Sequence, residues 1–235
     1  MGRVFEKRKH KMFARFDRMA KTFTRIGKDI AIAVKQSGPN PDNNPRLRMA
    51  IQNAKGANMP KDRVDAAIKR ASSKDEKDFQ EVVYEGYAPH GVPVLVECAT
   101  DNPTRTVANI RLHFSKNGGS MGNSGSVGFM FEHKGLFKFE PSKIDLDELE
   151  LDLIDAGAED IQKDEEEVII YTKFVDFGHM QKFLESKKLE PKSSELQYVP
   201  TTTKELSEKE QDEVMECVTA LEADDDVQNV YHNLA

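Results

Sequence analysis

Along the first third of the chain, apolar residues recur every three or four positions. Met12, Phe16, Met19, Phe23, Ile26, Ile30 and Val34 fall on one stripe at helical spacing, which predicts a helix over 12–36. Arg18, Lys21, Arg25 and Lys28 lie on nearly the opposite face. Ser37-Gly38-Pro39 stops that helix. Asn44-Pro45 opens a second, with asparagine as N-cap and proline in the first turn. Leu47, Ile51 and Ala54 point inward from it, while Arg46, Arg48 and Lys55 lie off the stripe. Gly56-Ala57-Asn58 ends the second helix and Met59-Pro60 begins a third. Val64, Ala67, Ile68 and Ala71 form its inner face; Arg63, Lys69 and Arg70 are left outside. Three amphipathic helices joined by tight turns predict a small bundle.

Past the polar linker 72–76 the apolar period changes to two. Segments 81–87 and 92–98 read as a hairpin around Pro89-His90-Gly91. Asn102-Pro103 caps a helix to about residue 116, and the glycine-rich stretch 118–128 leads into a strand over 127–132. A fresh unit begins near Gly135: strand 136–139, helix 146–156, strands 158–162 and 168–172, helix 176–187, strand 195–199. That β-α-β-β-α-β order is the ferredoxin-like signature. The helix over 208–221 and the strand over 227–231 have no partner inside that unit, and the unit before it lacks a helix and a strand. The expected class is therefore α+β, an N-terminal three-helix bundle plus two ferredoxin-like α/β domains, one inserted in the other. The expected boundaries are 1–78 for the bundle, 79–133 with 201–235 for the discontinuous domain, and 134–200 for the insert.

Charge changes this picture from a fold to a function. Residues 1–80 carry 20 Lys and Arg against 9 Asp and Glu, whereas residues 81–235 carry 14 against 32. A net charge of −7 thus hides a basic head. A solvated helix normally mixes signs for i,i+4 pairing; these helices leave mostly cations outside, and Arg3, Lys7, Arg8, Lys9 and Lys11 add more in an N-terminal tail. Cations in such density favour a polyanion, and nucleic acid is the commonest one, because binding releases its condensed counterions. No run approaches the roughly 20 apolar residues of a membrane span. The N-terminus has no apolar signal core, Glu6 stands where a myristoylation motif wants Ser or Thr, and Glu6, Asp17 and Asp29 argue against a transit peptide. Cys98 and Cys217 share no metal or redox spacing and read as buried, reduced thiols of a cytoplasmic protein.

Two segments and the histidines offer chemistry, and none completes a catalytic constellation. The loop 118–125 has glycines that let backbone N–H groups approach an anion, yet it lacks the Lys-Ser/Thr of a P-loop and follows a helix instead of preceding one. Asp224-Asp225-Asp226 offers carboxylate oxygens for a divalent cation, but a helix-to-strand connection explains it better. The six histidines are scattered without an HExxH or a nucleophile partner. The expectation is a non-enzymatic protein with no cofactor, no metal, no membrane contact and no small-molecule substrate.

Several motifs are more particular than helix or strand text. They are Asn44-Pro45-Arg46-Leu47-Arg48, Ala57-Asn58-Met59-Pro60-Lys61-Asp62, Tyr84-Glu85-Gly86-Tyr87, Thr100-Asp101-Asn102, the run 114–119, Gly125-Ser126-Val127 and the run 221–233. In this order, from about Lys21 to the C-terminus, they resemble the YebC/PmpR family, which includes the mitochondrial translational activator of cytochrome oxidase. The resemblance implies three domains, a helical bundle and two α/β domains. It also implies a cytoplasmic DNA-binding transcriptional regulator or, as the mitochondrial relative suggests, a ribosome-directed translation factor acting at difficult sequences such as proline runs. The family's usual Ser-Lys-Trp opening is absent, although Lys7, Arg8, Lys9 and Lys11 keep its charge. The expected nucleic-acid contacts are these four residues with Arg18, Lys21, Arg25, Lys28, Arg46, Arg48, Lys55, Asn58, Met59, Lys61, Arg63, Lys69 and Arg70. The alternative class is a protein-interaction scaffold using the acidic α/β domains.

Overall fold

The computed structural model describes residues 3–73 and 78–235, with side chains from Met19 onward. It divides into two compact units, 1–78 and 79–235. In the first, α1 (Arg3–Ser37) begins well before the expected start. The sequence between Arg3 and Ser37 has no proline and a single glycine, so nothing breaks the helix, and the expected basic tail is helical backbone. The side chains of Met12, Phe16, Lys7, Arg8, Lys9, Lys11 and Arg18 lie outside the described residues, as does the linker segment 74–76. A 3₁₀ turn (Pro41–Asn43) leads to α2 (Pro45–Gly56) and then α3 (Lys61–Ala71). Phe23, Ile26, Ile30 and Val34 of α1, Leu47, Ala50 and Ala54 of α2, and Val64 and Ala71 of α3 are buried.

One asparagine sets how α1 meets α2. Asn44, 1% exposed, accepts a hydrogen bond at Oδ1 from the Leu47 N–H at 3.0 Å, capping α2. Its Nδ2 donates to the Ala33 carbonyl at 2.7 Å and the Gly38 carbonyl at 2.9 Å. One of these carbonyls lies in the last turn of α1 and the other in the residue that follows the helix. A single side chain therefore closes two helix ends at once.

The second unit holds two four-stranded antiparallel sheets. The first sheet contains β1 (Gln80–Ala88), β2 (Val92–Thr100), the short β3 (Ser120–Met121) and β8 (Val227–His232), in the order β3-β1-β2-β8. Its hairpin strands are both central, and the C-terminal β8 pairs with β2. Helices α4 (Pro103–Lys116) and α7 (Glu208–Glu222) cover one face. Val94, Val96, Cys98, Ile110, Phe114, Val214, Cys217 and Leu221 form the core between them. Both cysteines are buried and in no disulfide, and burial pushes the Cys217 thiol up to about 11.

The second sheet contains β4 (Phe131–Phe139), β5 (Ala158–Lys163), β6 (Val168–Lys173) and β7 (Ser193–Pro200) in the order β5-β6-β4-β7. Helices α5 (Leu146–Asp155) and α6 (Phe177–Ser186) complete its β-α-β-β-α-β sequence. Of the strand expected at 127–132, Gly128–Met130 form a 3₁₀ turn and the last two residues open β4, the strand that also holds 136–139; the first sheet instead takes its third strand from the glycine-rich loop. Gly135, read as a break, sits inside β4 opposite Thr172 and Leu196. A Cβ there would come within 2.4 Å of the Phe177 ring and 2.5 Å of Thr172 Oγ1, so close helix packing, not a turn, requires the glycine. The architecture is α+β.

Replacing Asn44 with Ala should lower unfolding stability of the helical unit by about 2 kcal/mol, a lost cap plus two lost side-chain hydrogen bonds to carbonyls. Asn44→Asp keeps the cap but loses both donors, and should be no better than Ala at neutral pH. Thermal unfolding followed by far-UV circular dichroism checks both; an aspartate variant as stable as wild type would show the Nδ2 bonds to be unimportant.

Candidate nucleic-acid interface

The described cations of the helical unit occupy different environments. Lys21, Lys55, Lys61, Arg63, Lys69 and Arg70 are exposed, while Arg25, Lys28, Arg46 and Arg48 are half-buried. Arg46 Nη1 donates to Gln36 Oε1 at 3.1 Å, tying α2 to the end of α1. Arg48 Nη1 donates to the Pro41 and Asp42 carbonyls at 2.8 and 3.0 Å and so fastens the 3₁₀ turn. Of the residues expected to touch nucleic acid, Arg48 therefore has a structural task that its position off the apolar stripe did not reveal. Lys35, outside the expected set, pairs with Asp78 at 3.1 Å.

The structure brings Asn58 and Arg63 to one place on α1. Asn58 ends α2 in the left-handed region at φ 57°, held by its N–H to the Lys55 carbonyl and by the Met59 N–H to the Ala54 carbonyl. The Arg63 guanidinium lies 5.7 Å from the centre of the Phe23 ring. Met19, Ala20, Phe23, Asn58, Pro60 and Arg63 together line an open pocket of about 400 Å³. Phe23 was legible only as a core residue, since helical periodicity gives the face of a side chain and not whether its rim is reachable.

The glycine loop and the Asp cluster of the other unit are both engaged internally. Glu85 on β1, 9% exposed, accepts the N–H groups of Gly125, Val127 and Gly128 at 2.6, 2.7 and 2.8 Å. The glycine loop thus wraps the protein's own carboxylate, and these three amides are not turned to an outside phosphate. Burial alone would raise the Glu85 pKa, but the backbone donors together outweigh it and hold the group below its ordinary value. A Cβ on the neighbouring Gly86 would stand 2.6 Å from the Ser120 carbonyl oxygen and 2.8 Å from the Phe114 ring, which keeps the strand close to the loop. Period-2 spacing puts Glu85 on the same face as the exposed Glu81, so the sequence held no signal for this clamp.

Asp226, 6% exposed, accepts from Thr106 Oγ1 at 2.8 Å, Thr100 Oγ1 at 3.1 Å and Arg105 Nη2 at 2.6 Å. Asp224 accepts from Asn109 Nδ2 at 3.1 Å and from the Asp226 N–H at 2.9 Å. These acids join the β8 end to the start of α4. Among the described residues no group of three or more His, Cys, Asp or Glu is placed to hold a metal, and no helix is long and apolar enough to cross a membrane.

The structure thus comprises a helical unit rich in exposed Lys and Arg and an acidic α+β unit. Residues 3–74 match the family model described as the TACO1/YebC protein N-terminal domain, and residues 79–234 match that of the TACO1/YebC second and third domain. The chain belongs to the TACO1/YebC family. It is 58% identical to a probable transcriptional regulatory protein of Anaeromyxobacter dehalogenans and 56% identical to one of Myxococcus xanthus, each alignment covering 100% of both chains. A crystal structure of a conserved hypothetical protein from Aquifex aeolicus superposes with a TM-score of 0.81 at 38% identity, covering 92% of this chain and 90% of that one.

A depressed carboxylate pKa stabilises the fold above the unfolded group's pKa, and that stability is lost as pH falls towards the folded one. Wild type should therefore lose stability as pH drops from about 5 to below 4. Glu85→Gln should be about 2 kcal/mol less stable at pH 7 and flatter across that acid range. Urea unfolding at several pH values reads both effects; a variant with the wild-type slope would assign the acid sensitivity elsewhere.

Proposed function

We propose that this chain is a non-enzymatic, nucleic-acid-binding regulator of gene expression that works in the cytoplasm and associates transiently with the ribosome. One observation carries the reading: the cations are concentrated in the helical unit and the acids in the other, 20 against 9 and 14 against 32 across residue 80. The relatives' description as probable transcriptional regulatory proteins supports a regulatory role and nucleic acid as partner. Charge sign separates the targets. Carboxylates facing a bare duplex are repelled within about a Debye length of 8–10 Å. A ribosomal surface offers RNA to the basic unit and basic proteins to the acidic one, so two modest contacts reinforce each other.

The acidic unit has a face suited to a basic protein. Leu151 and Ile154 on α5 are 78% and 51% exposed, set among Asp147, Glu148, Glu150, Asp152 and Asp155. This favours protein contact as a second activity of the same molecule and keeps the scaffold reading as its complement.

In low-salt lysate the protein should co-sediment with ribosomal particles, survive DNase and be released by salt. Recovery solely on promoter fragments sharing a sequence motif would instead establish a transcription factor. Purified full-length protein should bind RNA with a log-log salt slope of roughly 0.7–0.9 per phosphate contact. Replacing Lys21, Arg25 and Lys28 with Gln should flatten that slope by about 2 if all three meet phosphates. An unchanged slope would move the binding surface elsewhere.

A further inference from the structure

The pocket between α1 and the α2–α3 turn has a composition that phosphate binding does not require. Its walls are apolar: Met19, 39% exposed, with Ala20, Phe23 and Pro60. Its rim carries one planar cation, Arg63, and one amide, the exposed Asn58. A phosphate would be served by exposed lysines alone, as a point charge is. A guanidinium beside an aromatic ring, an apolar wall and a side chain with both donor and acceptor instead suit a flat aromatic ligand with a hydrogen-bonding edge. Charge then narrows the ligand. Lys21 and Lys61 stand next to lining residues in sequence, and the unit around the pocket is strongly cationic, so an aromatic group attached to a phosphate chain is drawn there.

We infer that this pocket receives one unpaired nucleobase of the nucleic acid bound by the cationic surface, an assignment that rests on the nucleic-acid-binding reading above. Duplexes keep their bases stacked inside, whereas loops and bulges of folded RNA present bases that can be splayed into such a site. Asn58 is fitted to its place in two ways. Its left-handed backbone closes α2, a task glycine would also perform, and its amide supplies an edge contact that glycine lacks. Arg63 stacks, so the pocket reads the presence of a base more than its identity, because every base has a π-face.

The test compares two probes on the full chain: a short single-stranded RNA oligonucleotide, and an oligonucleotide of the same length with every base removed. At equal salt the base-bearing strand should bind about tenfold more tightly, with the same salt slope for both. Asn58→Gly preserves the turn, and Arg63→Lys preserves the charge while losing the planar stacking group. Each should cut the tenfold preference to threefold or less, with the salt slope and thermal unfolding unchanged. Equal affinity of wild type for the two strands would overturn the pocket assignment while leaving phosphate binding intact, as would a preference that survives both substitutions. Binding to neither strand would remove the nucleic-acid reading and the pocket with it.

Discussion

The geometry of the helical unit depends on the three hydrogen bonds of a buried primary amide. Asn44 offers one acceptor to the start of α2 and two donors to the end of α1, so the reversal between these helices is fixed by one side chain. Helix ends are where backbone groups lack partners, and burying them unpaired is costly. With that reversal set, the end of α2 returns along α1, and the left-handed Asn58 aims α3 so that Arg63 reaches Phe23. The pocket and the arrangement of cations are downstream of that corner. Carboxylate or alkyl groups of similar size cannot reproduce it, because neither combines an acceptor with two donors.

The acidic unit uses its buried carboxylates differently from its exposed ones. Glu85 and Asp226 satisfy loops from inside: one gathers the amides of the glycine-rich segment, the other links the turn before β8 to the end of β2 through Thr100 and to α4 through Arg105 and Thr106. Both are held by donors at close range, which is how a charge persists in a low-dielectric setting. The remaining acids crowd surfaces such as α5, where water solvates them. Clusters that look reactive in sequence thus separate into internal fasteners and outward field.

Much of this was legible from spacing and caps. The helix stripes, the Asn44 and Asn102 caps and the hairpin at Pro89-His90-Gly91 follow from local rules, and local rules are what a sequence exposes. The failures share a cause. Gly135 was read as punctuation, although its reason is the Phe177 ring, 42 positions away along the chain. Arg48 looked like one more surface cation, although its reason is a pair of carbonyls in a turn whose shape periodicity does not give. The candidate site was visible as a charge field and as the Asn58 turn, but not as a cavity, since a cavity is a relation between two elements.

β4 has one further consequence. Its middle is a central strand of the second sheet, while its first residue, Phe131, is packed with Leu95 of the first sheet and Val127, beside Tyr87, Tyr198 and Tyr231. Tyr198 and Tyr231 meet edge-to-face across the sheets at 5.5 Å. The rungs that stiffen one sheet are thus anchored in the apolar seam it shares with the other. Twisting the sheets apart would drag an interior strand, where a terminal loop would simply have swung. In rotational diffusion the 79–235 body should accordingly tumble with a single correlation time, like a solid particle rather than two beads on a string.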